Sequence, residues 1–162
     1  MILYVGLSYL PFENAFYSFA TLEEAFAYKN PGVTNIDLVV EGQESAYVVG
    51  SKANKNPYSY FQKAKDGWKL DIGTVHKKVA MAVLDNGFVF VYQYKDSNDY
   101  YVEVIDTKGT ITSVQDNKQS PFASYSTNEY ITHYYAVITD FTEDYRLELN
   151  GAEIALEPMP SR

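Results

Sequence analysis

Two histidines, His76 and His133, are the only imidazoles in the sequence, and cysteine is absent. Neither histidine stands in an H-x-E, H-E-x-x-H or H-x-H spacing, so local sequence assembles no zinc-ligand set. Without cysteine there is no thiol nucleophile, no disulfide and no thiolate-held metal. His76 opens a strand beside Lys77 and Lys78, and His133 lies in an aromatic strand between Thr132 and Tyr134; each is expected to be a packed or surface side chain. No G-x-S-x-G elbow and no glycine-rich phosphate loop occurs. Asp96-Ser97-Asn98-Asp99 begins like a calcium loop. It lacks the later glycine and glutamate, and Tyr100 stands where a third ligand belongs, so it reads as a solvated hairpin tip. Asp140, Glu143 and Asp144 are carboxylates that could do acid–base work, but nothing in the sequence gathers them into a cleft. No catalytic residue, metal or cofactor is assigned.

The chemistry the sequence does offer is contact chemistry. Sixteen tyrosines fall into groups: Tyr58, Tyr60, Phe61 and Trp68; Tyr92, Tyr94, Tyr100 and Tyr101; Phe122, Tyr125 and Tyr130. Strand alternation sends Tyr100 and Tyr101 to opposite faces, so one of them is expected to leave a one-sided core. Exposed tyrosine beside acids suits protein contacts, because a rigid ring adds area at low entropy cost. The candidate partner-binding residues are Tyr94, Asp96, Asp99, Tyr100, Phe122 and Tyr125. The expectation is a non-enzymatic protein-binding module of the immunity or inhibitor type. A carbohydrate-binding module using Trp68 or Tyr100 is the alternative, and a structural or assembly subunit is a third.

These residues must be held by a sheet. Tyrosine-rich composition favours strands, and the strongest helical signal is short. Thr21 and Glu24 form an S/T-x-x-E capping box before Leu22, Ala25 and Phe26, and Asn30-Pro31-Gly32 ends the segment, predicting a helix over about 21–30. Strands are expected at Ile2–Tyr9, Ile36–Val40, Ala46–Val49, Tyr58–Lys63, Trp68–Ile72, Val79–Leu84, Phe88–Tyr94, Tyr100–Ile105, Thr110–Val114, Ile131–Thr139, Arg146–Leu149 and Ala152–Leu156. Residues 115–128 read as one long polar loop.

Two Asn-Gly pairs predict tight hairpins. A turn at Asn86-Gly87 would pair Leu84 with Val89. Both strands there are apolar on both faces, so they are expected to be central and covered on both sides. A turn at Asn150-Gly151 would pair Leu147 with Ile154 and Leu149 with Ala152 on a buried face, and oppose Glu148 to Glu153 with Arg146 bridging them. A weak internal repeat aligns the Asp-Tyr pairs at 99/100 and 144/145. The fold class is mostly β (α+β), an antiparallel meander, curled sheet or small sandwich with one short N-terminal helix, in a single domain over 1–162.

The 162 residues carry a net charge of −8. Residues 1–50 hold one base and six acids; residues 51–78 hold seven lysines against Asp66 and Asp71; residues 79–162 hold thirteen acids against five bases. An acidic chain is expected to avoid nucleic acid and anionic membranes and to accept a basic protein partner. The N-terminus has no basic region or long apolar run, so the chain as given is expected to be cytoplasmic, or secreted if a signal peptide has been removed.

Overall fold

The computed structural model describes residues 17–53, 55–71 and 76–159. The strand expected at Ile2–Tyr9 lies outside them. The described chain is mostly β, with antiparallel sheets that do not close into a barrel. Helix α1 spans Leu22–Lys29, and the Thr21 hydroxyl accepts from the Glu24 backbone N–H at 3.2 Å, as the capping signal predicts. Leu22, Ala25 and Phe26 are its buried residues.

Three sheets follow. The first joins β1 (Asn35–Glu41), β2 (Ser45–Ser51), β3 (Tyr58–Ala64) and β4 (Gly67–Leu70) as a plain meander. The second contains β5 (His76–Leu84), β6 (Gly87–Tyr94), β7 (Asp99–Asp106), β9 (Ala123–Ser126), β10 (Thr132–Thr139) and β13 (Glu157–Pro158), in the order β13-β5-β6-β7-β10-β9. The third is small, with β8 (Val114–Asp116), β11 (Leu147–Leu149) and β12 (Ala152–Ile154).

Alternation divides the apolar side chains among three cores. On β2, Ala46 and Val48 meet Phe26, Phe61 and Trp68 beneath α1, while Tyr47 and Val49 turn the other way. There they meet Tyr60, Leu38 and Val40 of the first sheet and Tyr94, Tyr101 and Tyr135 of the second. The opposite face of the second sheet, with Ala80, Ala82, Val89, Val91, Val102 and Val104, packs on Ile111, Tyr145, Leu147 and Leu149. The order of layers is therefore helix, sheet, sheet, sheet.

The Asn150-Gly151 hairpin has the expected register, with Leu147 opposite Ile154, Glu148 opposite Glu153 and Leu149 opposite Ala152. Both turn residues take positive φ, 52° and 79°. Arg146 Nε reaches Glu153 at 3.3 Å. Ala152, expected on the buried side, is exposed, because β12 is the sheet edge.

The other hairpin differs from expectation. Leu84 lies opposite Gly87, Val83 opposite Phe88 and Ala82 opposite Val89, so the connection is Asp85-Asn86. The offset is two residues, which keeps every side chain on its expected face. Gly87 is needed for the neighbouring strand instead: at φ +158°, a Cβ there would stand 1.7 Å from the Ile105 carbonyl oxygen. Gly87→Ala should therefore destabilise the fold by about 2–3 kcal/mol through displaced β6–β7 pairing. Urea unfolding measures this, and a midpoint within error of wild type would remove the close-approach explanation.

Three further expectations are corrected. The segment expected as a strand at Thr110–Val114 is irregular up to Ser113, because side chains take its backbone groups: Asp106 accepts from Ile111 N–H, Asn150 Oδ1 accepts from Thr112 and Ser113 N–H, and Tyr134 donates to Ile111 C=O. The polar stretch 115–128 is not one loop, since it holds most of β8 and all of β9. The aligned Asp-Tyr segments fold differently: β6 and β7 pair with each other, whereas β10 and β11 belong to different sheets.

Candidate functional site

The β5–β6 hairpin is not covered on both faces. The first sheet packs over the Tyr94, Tyr101 and Tyr135 end of the second sheet, and Val83 and Phe88 lie beyond that core, 70% and 40% exposed. Phe88, Phe90 and Tyr92 form a row along β6, with centroids 5.9 Å apart at each step. Lys78 Nζ sits 3.8 Å from the Phe90 centroid and 5.8 Å from that of Tyr92, a cation–π arrangement.

Where this open half meets the covered half, antiparallel register sets Glu103 of β7 between Phe90 of β6 and Tyr135 of β10. Glu103 is 7% exposed. The Tyr135 hydroxyl donates to Glu103 Oε1, and His133 Nδ1 lies 3.0 Å from the same oxygen. His133 stacks on Tyr125 with centroids 4.9 Å apart and planes 6° apart. From the first sheet, the Tyr47 hydroxyl reaches that of Tyr135 at 3.3 Å, and Tyr58 packs on the Tyr47 ring while remaining 61% exposed. His76 packs between Tyr60 and Tyr92.

Burial raises the phenol of Tyr92, and the Glu103 carboxylate adds to the shift. Burial and Glu103 likewise push Tyr125 up to about 12. Burial lowers His76, against the pull of Glu103. Other buried acids have different company. Asp71 pairs with Lys95 at 2.7 Å. Asp106 accepts the N–H groups of Lys108 and Ile111. Asp116 accepts those of Lys118 and Ser120.

A carboxylate-held imidazole can serve as a general base, but among the described residues no hydroxyl nucleophile is hydrogen-bonded to the His133 ring. Nor do three His, Asp or Glu side chains converge to hold a metal among those residues. The arrangement suits binding: an aromatic strip ending at a buried carboxylate.

The six residues singled out from sequence do not share one surface. Tyr94 is buried and donates to Asp71. Asp96 is exposed at the β6–β7 tip, whereas Asp99, at the other end of that tip, is buried. Tyr100 packs on Phe141, and Phe122 joins it against the core shared with the third sheet. Tyr101 faces the other way and is fully buried, so neither ring of the pair leaves a one-sided core. Tyr125 alone of the six joins the cluster around Glu103, through its stack on His133. Sequence reasoning missed Glu103, although an acid inside Tyr101-Val102-Glu103-Val104-Ile105 is the visible signal, and it left His133 as a packing residue.

Compared with known proteins, the chain matches no family model, no curated protein and no solved structure. Among the described residues no helix is long and apolar enough to cross a membrane.

Proposed function

We propose that the protein is a non-enzymatic binding module that engages a basic protein partner through the open half of its aromatic sheet face, as an immunity or inhibitor protein blocks its target. The observation that carries this reading is the exposed apolar pair Val83 and Phe88, continued along β6 by the half-buried Phe90 and Tyr92, on a chain of net charge −8. Exposed apolar surface beside charge marks interaction sites, and a net acidic chain favours a basic partner. A sugar-binding role has less support: Trp68 is buried and Tyr100 packs on Phe141, while Lys78 already lies over Phe90.

Capture from the native cell extract by the tagged protein, at low and high salt, tests the reading. One stoichiometric basic partner, released by salt, is the expected result. Phe88→Asp should weaken that complex at least about tenfold while leaving the circular dichroism spectrum unchanged. A salt-indifferent complex that tolerates Phe88→Asp, or binding to a glycan array with no captured protein, would sink it.

A further inference from the structure

We propose that the polar cleft between the first sheet and the end of β9 binds a small zwitterion, with Asp37 meeting its ammonium and Lys55 its carboxylate. The cleft has a volume of about 460 Å³ and shares no residue with the Val83, Phe88, Phe90 and Tyr92 face. Three segments build it. The first is β1, where Ile36 lies opposite Gly50 and Leu38 opposite Val49, so Asp37 is the extra residue of a β-bulge. Bulges re-aim a side chain. Asp37 lines the cleft, and its Oδ1 accepts from the Ser51 hydroxyl at 3.0 Å. The second is the tight turn after β2. Lys52 and Lys55 exchange backbone hydrogen bonds of 2.9 and 3.0 Å, and Ala53 takes φ 50°, a left-handed conformation that is costly for alanine. The turn parts its two lysines: Lys52 donates to the Pro31 carbonyl, whereas Lys55 lines the cleft. The third is the β9–β10 turn, where Ser126 and Thr127 add hydroxyls from the second sheet.

The charges decide the ligand. Asp37 and Lys55 do not pair with each other, and among the described residues neither Asp37 Oδ2 nor Lys55 Nζ has a hydrogen-bond or ion-pair partner. An anion such as phosphate would meet the Asp37 carboxylate, and a cation would meet the Lys55 ammonium. Among the described residues no three His, Asp or Glu side chains converge for a metal. No aromatic ring among them lines the cleft, so a sugar would lack a surface for its apolar face. A ligand carrying both charges satisfies both side chains at once through charge-assisted hydrogen bonds. The Asn56 amide and the two hydroxyls suit its remaining polar atoms.

The direct test is NMR titration of the intact protein with glycine and with glycylglycine, two zwitterions of different charge spacing. N-acetylglycine, which lacks the ammonium, and glycinamide, which lacks the carboxylate, are the controls. Saturable shifts at the Asn56, Ser126 and Thr127 amides are expected with at least one zwitterion, and the better binder gives the charge spacing that the cleft accepts. Each control should bind at least about tenfold more weakly. Asp37→Asn and Lys55→Gln, both at exposed side chains, should each weaken the zwitterion at least about fivefold and leave the circular dichroism spectrum unchanged. If one variant fails to fold, the other carries the test. No saturable shift with either zwitterion, equal binding of a control, wild-type affinity in the folded variants, or saturable shifts with inorganic phosphate or glucose alone would overturn the proposal.

Discussion

Raising the pH above 10 should unfold this protein cooperatively within about one to two pH units. Tyr47, Tyr60, Tyr94, Tyr101, Tyr135 and Tyr145 are each at most 5% exposed. Burial is the first cause raising every one of these phenols, and neighbouring phenols or carboxylates add to it. In the unfolded chain each would ionise near pH 10. Because the folded pKa lies above the unfolded one, the stabilising contribution is fully present below pH 10. It is lost as pH rises, since the unfolded chain then sheds protons that the folded chain keeps. Each ring contributes about 1.4 kcal/mol per pH unit, and these six together about 8 kcal/mol per unit. An ordinary domain has about 5–15 kcal/mol in all. Tyrosinate absorbance and far-ultraviolet circular dichroism should therefore change together, in one steep step. Tyr60→Phe removes one ionising group from the unfolded chain and should lower the slope by about 1.4 kcal/mol per unit. A gradual tyrosine titration with secondary structure intact through pH 12 would refute the account.

How much of this was legible in the sequence depends on the range of each signal. The helix was legible because Thr21 and Glu24 act within one turn. The Asn150-Gly151 hairpin was legible to the residue because both positive φ angles belong to the turn itself. Asn86-Gly87 carries the same dipeptide but a different cause: its glycine answers to Ile105 on the neighbouring strand, which no local pattern reports. The irregular segment before β8 was hidden for a similar reason, since Asp106, Asn150 and Tyr134 satisfy its backbone from other parts of the fold. The cluster around Glu103 is the extreme case. Glu103 and His133 meet only because β10 pairs with β7 across an excursion through β8 and β9. The open half of the sheet face depends on where the first sheet ends, and alternation in β5 and β6 says nothing about that.

Among the described residues, Asp99→Ala should be the most damaging single truncation of a polar side chain, at about 3–5 kcal/mol. Its carboxylate, 1% exposed, accepts the backbone N–H groups of Gln43 and Glu44 at 2.9 Å each and the Ser45 hydroxyl at 2.7 Å. Two of those donors lie in the β1–β2 turn and the third opens β2, so Asp99 fastens the first sheet to the β7 end of the second. Ser45 also contacts the Tyr101 hydroxyl at 2.8 Å, which carries the disturbance into the tyrosine core. Truncation leaves two part-buried backbone donors and a buried hydroxyl without their acceptor. Gly42 makes the test sharper. A Cβ at that position would fall 2.4 Å from Asp99 Oδ2. Gly42→Ala alone should therefore destabilise by displacing the carboxylate. In the Asp99→Ala background the obstacle is gone, and the same substitution should cost much less. Denaturant unfolding of the two single variants and the double variant gives the coupling directly. Strict additivity would mean that Asp99 does not hold the turn in the way described. A large favourable coupling would place the joint between the two sheets at this one carboxylate.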